Sequence, residues 1–216
     1  MDKYLTYPKI ENLYVRDPDT HKITSIVRLP EFNIPKTWLV TEKIDGTNIR
    51  VIYHGGVVEF RGRTDAARLH ATLFQKLQQT FAPIKLRLTF EHGDDSTIIL
   101  FGEGYGPKIQ KGGGNYTPDV SFRLFDVWVD GRWLDWDNVC GIAKSLGIET
   151  VPVVERALAC LPSSKDDLKA LIEHSFVAWE ENELAIDAEG IVARTDPLLF
   201  MRNGQRLGWK LKFRDW

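Results

Sequence analysis

Thr41-Glu42-Lys43-Ile44-Asp45-Gly46-Thr47-Asn48, followed directly by the apolar run Ile49-Arg50-Val51-Ile52-Tyr53, decides how the rest of the chain is read. A lysine, an aspartate and a glycine share a tight bend, approached by Trp38-Leu39-Val40 and continued by a strand rich in β-branched residues. Gly46 lets the backbone approach a ligand closely or take a positive φ. A lysine held this way is a nucleophile once its ammonium loses a proton, against an ordinary pKa of about 10.4. Burial, a neighbouring cation or a bound metal promotes that loss. The competing reading is a surface turn with Lys43 and Asp45 solvated. The choice depends on whether the rest of the chain supplies partners for the lysine.

At 216 residues the chain is long enough to bury a full core, and no repeat, low-complexity tract or Pro/Ser-rich linker divides it. A single domain spanning residues 1–216 is the expectation. A hydrophobic content of 43% argues against disorder. No apolar run approaches a membrane span, and the start Met1-Asp2-Lys3-Tyr4-Leu5-Thr6-Tyr7-Pro8 lacks the apolar core of a signal peptide. Cys140 and Cys160 have no metal-ligand spacing and read as buried thiols in a reducing compartment, so a cytoplasmic protein is expected. The net charge of −2 excludes a global field for nucleic acid, and any anion binding must be local.

The first forty residues read as an irregular arm with short strands and a turn at Asp17-Pro18-Asp19. After the strand at 47–53, His54-Gly55-Gly56 turns into a second strand from Val57 to Arg61. Thr64 or Asp65 is expected to cap a helix to about Phe81, with Leu69, Leu73, Leu77 and Phe81 along one face. Leu86 to Phe90 and Thr97 to Phe101 read as strands around the turn Gly93-Asp94-Asp95-Ser96. Phe122 to Val129 is a strand entering a hairpin at Asp130-Gly131. Asp135 or Asp137 caps a helix ended by Gly147, and Ser163-Ser164 starts another with Leu168, Leu171 and Ile172 inward. Gly190 to Arg194 is strand-like, and Asn203-Gly204 turns the chain into a last strand from Leu207 to Phe213. Short hairpin-linked strands with interspersed helices describe an α+β fold on antiparallel sheet.

In the last strand Arg206, Gly208, Lys210, Lys212 and Arg214 alternate with Leu207, Trp209, Leu211 and Phe213. Strand geometry puts the cations on one face and the apolar bulk on the other. Either this is a solvated edge strand or it is a cationic rail for phosphates, with Gly208 leaving room for close approach. Glu103, flanked by glycines, and Glu189, before Gly190-Ile191-Val192-Ala193, are carboxylates in apolar strand contexts. Such groups must be paired, hydrogen-bonded or next to a metal. With Asp45 they form either three oxygen donors suited to Mg²⁺ or three salt-bridged structural acids. Gly112-Gly113-Gly114 lacks the Lys-Ser/Thr of a phosphate loop and reads as a mobile loop. The five histidines show neither metal spacing nor a partnered nucleophile.

Lys43-Ile44-Asp45-Gly46 with Asn48, Arg63, Glu103, Phe125-Asp126, Glu189-Gly190-Ile191-Val192 and Lys210-Leu211-Lys212, in this order, resembles the covalent nucleotidyltransferase superfamily of DNA ligases, RNA ligases and mRNA capping enzymes. Glu42-Lys43-Ile44-Asp45-Gly46-Thr47-Asn48 looks closest to the Glu-Lys-x-x-Gly-Thr-Asn motif of ATP-dependent RNA ligases. Gly106-Pro107-Lys108-Ile109-Gln110-Lys111-Gly112 is also similar to that family's glycine-rich segment. The resemblance implies an antiparallel-sheet, ATP-grasp-like adenylation domain acting through lysyl-AMP on Lys43. It places Glu42 on the adenine edge, Phe125 stacked on the base, and Ile44 among the nucleotide-binding residues. Arg63 and Asn48 fall near phosphates and ribose, Glu103 on the ribose, and Lys210 and Lys212 on the α-phosphate and leaving group. The resemblance further implies that Asp45, Glu103 and Glu189 hold metal-bound waters, with Mg²⁺ or Mn²⁺ as the ion and ATP as co-substrate. The implied partners are RNA ends, with RNA/DNA hybrid as a further substrate, met by a monomer with no membrane association. The chain stops at Trp216, where family members commonly carry an OB-fold or helical module, so a fold without that module is expected. The rivals are a DNA ligase, a capping guanylyltransferase and a non-catalytic nucleic-acid-end binding module.

Overall fold

The computed structural model describes residues 3–90 and 96–216. In chain order the first strands are β1 (Glu11–Asn12), β2 (Tyr14–Arg16), β3 (Ile23–Val27), β4 (Trp38–Lys43), β5 (Thr47–His54) and β6 (Val57–Arg61). Then come α1 (Ala71–Thr80), α2 (Pro83–Phe90), β7 (Ile98–Tyr105), β8 (Ser121–Val129), β9 (Arg132–Trp133) and α3 (Trp136–Leu146). The chain ends with β10 (Glu149–Thr150), β11 (Val153–Leu158), α4 (Lys165–Leu171), α5 (Phe176–Asn182), β12 (Gly190–Arg194) and β13 (Gly208–Lys212). They form two compact units, Met1–Tyr7 with Asp45–Val151 and Pro8–Ile44 with Pro152–Trp216. No helix among the described residues is long and apolar enough to cross a membrane.

The first unit is a six-stranded sheet in the order β10-β8-β7-β5-β6, with β9 added to β8. Its long pairings are antiparallel, as the hairpin signals require. On one face Ile52, Ile99 and Phe101 pack with Tyr7, Phe125 and Trp133. On the other, α1 brings Leu73 so close to β7 that a Cβ at Gly104 would lie 2.6 Å from the leucine Cδ2. Asp135 caps α3 by accepting from the Asn138 amide at 2.9 Å, and Gly147 ends it at φ 60°.

The second unit is a five-stranded sheet in the order β1-β13-β12-β4-β11, beside the β2–β3 hairpin. Trp38, Val40, Ile191, Trp209 and Leu211 form its core with Leu168 and Ile172 from the α4 region. Trp38 and Trp209 meet edge to face at 5.6 Å. Ser164 and Asp167 form a reciprocal capping box at the start of α4.

Several expectations are corrected. Asp65 starts no helix: its carboxylate accepts from the Arg50 guanidinium at 2.7 Å and the Lys3 amide at 2.9 Å, and α1 begins only at Ala71. Leu86 to Phe90 is helix, not strand. Pro83 stands at the first helical position, and Leu86 and Phe90, four apart, are both buried. The turn expected at 93–96 falls largely outside the described residues. Helix α5 has no counterpart in the sequence reading. Cys160 is exposed and Cys140 half-buried, so neither is a core thiol. The Gly112–Gly114 segment is a run of hydrogen-bonded turns, and Gly113 packs so tightly that a Cβ would meet the Gly106 carbonyl at 2.1 Å.

Candidate functional site

Lys43 is the last residue of β4, and the bend begins one residue later. Across the sheet Lys43 pairs with Gly190 on β12, and Gly190 pairs with Lys212 on β13. The next row is Thr41, Val192 and Lys210. Residues facing one another across antiparallel strands share a face, so Lys43, Lys210 and Lys212 stand on one side of this sheet. Gly190 has no side chain in the middle of the first row. It sits at φ 153°, and a Cβ there would lie 2.1 Å from the Leu211 carbonyl.

The adjacent Glu189 fills the gap between the two ammoniums. One carboxylate oxygen is 2.5 Å from Lys43 Nζ, and the other is 2.8 Å from Lys212 Nζ and 3.7 Å from Arg214. Burial pushes the Glu189 carboxyl up, but the charge of Lys43 and the contacts of Lys212 and Lys43 outweigh it and hold it below the ordinary carboxylate value. Glu189 is therefore an anion that accepts a hydrogen bond from Lys43 through one oxygen and is ion-paired with Lys212 through the other. Lys43 also reaches the Ile44 carbonyl at 3.4 Å, whereas the Ile44 side chain is buried.

The cationic rail is only partly what strand alternation predicts. Strand β13 lies between β1 and β12 and is not a solvated edge. Lys212 has 11% side-chain exposure, which removes it from the class of edge lysines. Arg214 has left the strand for a 3₁₀ turn, Phe213–Asp215. Gly208 serves strand packing, since a Cβ there would come 2.9 Å from the Ala193 carbonyl.

Three cations of the N-terminal arm were not singled out by sequence. Lys9, Arg16 and Arg28 line a cavity of about 330 Å³ together with Lys210, Lys212 and Arg214. Among the described lining residues Glu11 is the one carboxylate, paired with Arg28 at 2.7 Å, while Arg16 pairs with Asp215. The arm arrives there because β1 runs parallel to β13, placing Asn12 opposite Lys210. No spacing in the sequence signals this parallel pairing.

Glu42 alternates with Lys43 and points to the opposite face. It is buried, and its carboxylate accepts from the Ser175 hydroxyl at 2.5 Å and from the Phe176 and Val177 amides at 3.0 and 3.2 Å. In this arrangement it organises the start of α5. Reading an adenine edge would require it to exchange or share these bonds.

The other sequence-derived residues belong to the first unit. Asn48 on β5 stands directly across from Glu103 on β7. The Asn48 side-chain oxygen is buried without a hydrogen-bond partner among the described residues, the kind of acceptor a ligand hydroxyl satisfies. Phe125 is the extra residue of a β-bulge, because Phe101 pairs with Asp126 and Gly102 with Leu124. It packs on the same face as Phe101, with Tyr7 at 4.9 Å, and stays half-exposed. Arg63 is exposed in the turn after β6. That turn is secured by Arg50, which is fully buried and donates to the Gly62 carbonyl at 2.9 Å. Gly46 owes its identity to its own chain, since a Cβ would lie 2.3 Å from the Gly104 carbonyl. Beside it the Tyr116 hydroxyl accepts from the Asp45 amide, and Gln110 donates to the Gly46 carbonyl at 3.0 Å.

Among the described residues no three His, Cys, Asp or Glu side chains converge to hold a metal by protein ligands alone. A Mg²⁺ that keeps several waters and takes phosphate oxygens needs only one or two carboxylates. Glu189 in the second unit is a carboxylate of that donor type, as are Asp45 and Glu103 in the first.

A strand-end lysine on antiparallel sheet, paired with a carboxylate and backed by a lysine-bearing last strand, is the arrangement that the resemblance to covalent nucleotidyltransferases leads one to expect. The chain belongs to the RNA ligase family, whose family model matches residues 36–210. Among solved structures it is similar to Naegleria gruberi RNA ligase. A mutant of that enzyme with ATP and Mn superposes with TM-score 0.67 at 17% identity, over 98% of this chain and 57% of that one. The same enzyme with PPi gives TM-score 0.60 at 18% identity, over 95% and 61%. The chain thus spans about three fifths of the ligase chain it matches. A search of curated proteins by sequence finds no match.

Proposed function

We propose that this chain is the adenylation domain, residues 1–216, of an ATP-dependent RNA ligase that joins RNA 3′-hydroxyl and 5′-phosphate ends. The observation that carries the proposal is the row Lys43–Glu189–Lys212 opening beside a cavity lined by six cations and one carboxylate. The Lys43 ε-nitrogen sheds its proton and attacks the α-phosphorus of ATP, and the bond from that phosphorus to the bridging oxygen breaks. Pyrophosphate leaves and lysyl-AMP remains. An RNA 5′-phosphate oxygen then displaces the lysine, and a 3′-hydroxyl finally displaces AMP to form the phosphodiester.

Transfer at phosphorus depends mostly on positioning and charge neutralisation. Lys210 and Lys212 serve the α-phosphate and the leaving group, where their face of β13 adjoins the cavity. Before attack Lys43 must part from Glu189, which stays charge-compensated by Lys212. A divalent cation, when bound, would add Lewis-acid neutralisation of the phosphates, with Glu189, Asp45 and Glu103 as the residues to hold its water shell. Asn48, Glu103, Phe125 and Arg63 take the nucleoside and phosphate roles that the family resemblance gives them, and RNA repair in the cytoplasm by a monomer is the setting. Incubation with α-labelled ATP or GTP and Mg²⁺ tests the reading. ATP should label the protein covalently and Lys43→Ala should not be labelled. Label that persists on Lys43→Ala refutes the nucleophile, and preferential label from GTP redirects the reading to a capping enzyme.

A further inference from the structure

The hairpin joining β12 to β13 plays no part in the chemistry above, yet it is built for contact. From Pro197 to Leu207 the hairpin has no Asp or Glu, while it carries Arg202 and Arg206, in a protein of net charge −2. The tip is well ordered by its own hydrogen bonds. The Leu207 amide donates to the Leu199 carbonyl at 2.8 Å, the Met201 amide to Gln205 at 2.7 Å and the Gly204 amide to Met201 at 2.9 Å. The Asn203 side chain accepts from the Gln205 amide at 3.0 Å. Met201 anchors the hairpin by packing on the core of the second unit.

On this frame Leu199 and Phe200 are 44% and 54% exposed. Arg202 beside them is exposed and has no carboxylate partner among the described residues. An ordered hairpin that holds an aromatic ring in water next to cations, with no acid in the same stretch, suits a polyanion that also has flat apolar faces. Single-stranded nucleic acid is that ligand, because bases stack on aromatic rings while phosphates meet arginines.

We propose that residues 199–206 dock the RNA strand next to the end being joined, with Phe200 stacking on an unpaired base and Arg202 on a flanking phosphate. The inference rests on the ligase reading for its choice of RNA, but its residues stand outside the lysine chemistry, so the two fail separately. The test titrates a fluorescent, 5′-phosphorylated single-stranded RNA into the wild-type protein, Phe200→Ala, Phe200→Trp and Arg202→Ala, following anisotropy over a range of salt. Covalent labelling by ATP and sedimentation are measured on the same samples.

Phe200→Ala should weaken RNA binding by about 5- to 160-fold, the loss expected for one aromatic–base stack, and Phe200→Trp should bind as tightly as the wild type. Arg202→Ala should lower the salt slope by about 0.7, the value for one phosphate contact on a single strand. Labelling by ATP should be unchanged in all three variants. RNA binding that ignores both positions, or no RNA binding by the wild type, overturns the proposal. So does a self-association that Phe200→Ala abolishes without changing RNA affinity, since the occupant would then be a second copy of the chain. RNA binding that depends on Phe200 in a protein that ATP fails to label supports the hairpin assignment and removes the ligase reading instead.

Discussion

Lys212→Ala separates a phosphate-handling lysine from one that merely pairs with Glu189. The Lys212 ammonium lies 2.8 Å from one Glu189 oxygen and has 11% side-chain exposure. At an effective dielectric constant of 20, two charges at that distance attract by about 6 kcal/mol before desolvation is counted. Taking both groups from water offsets most of this, and removing one member of a buried pair commonly costs about 3–5 kcal/mol. Here Glu189 keeps Lys43 at 2.5 Å, so the charge is not left bare, and the expected loss is about 1–3 kcal/mol. The effect on chemistry should be larger. Negative charge develops on the α-phosphate and pyrophosphate during lysine adenylation, and removing one preorganised donor to such charge slows a reaction by about 10²–10³-fold. The assay is single-turnover formation of labelled protein from α-labelled ATP, run below the melting transition of both proteins, beside a urea unfolding curve for each. Lys212→Arg keeps the charge and should recover most of the stability. A Lys212→Ala protein that loses stability but adenylates at the wild-type rate would refute the phosphate role and leave Lys212 as a structural ion-pair partner.

Two further outcomes follow from the same unit. The Glu189 carboxyl is held below its ordinary value of 4.5, so its pairs stabilise the fold fully above that pH. That contribution is lost as pH falls through the depressed folded value. Urea midpoints measured from pH 7 down to pH 3 should therefore show wild type and Glu189→Gln converging below about pH 4.5, and a constant gap between them would contradict the assignment. Glu42→Ala should destabilise by about 3 kcal/mol, because the Ser175 hydroxyl and the Phe176 and Val177 amides lose a buried acceptor. Wild-type stability combined with a lost preference for ATP over GTP would instead place Glu42 on the adenine edge.

The lysine bend, the strands flanking it and the amphipathic last strand are legible in the sequence because each is a local pattern. Alternation with period 2 fixes which face Trp209 and Leu211 share, and both are fully buried. Asp135, Gly147 and the Ser164 capping box are equally local, since a cap acts within one turn. The same reliance on period misread α2. Leu86, Leu88 and Phe90 alternate as a strand would, and Pro83 together with burial of Leu86 and Phe90 at four-residue spacing makes the segment a helix. Phe125 shows a subtler limit. Its residue type suggests stacking, but the bulge that sets its direction arises from the register of β8 on β7.

By itself, then, the sequence determined the residue types of the site and the side of each strand on which they stand: a lysine before a bend, two late lysines in phase, and a carboxylate before Gly190. Tertiary structure alone decided the partners. It seated Glu189 between Lys43 and Lys212, turned Glu42 to the opposite face toward α5, and brought Lys9, Arg16 and Arg28 to the cavity beside Lys210. The physical reason is that strand order and register join residues more than a hundred positions apart. A pairing such as β1 alongside β13, or Lys43 opposite Gly190, leaves no local trace in either partner.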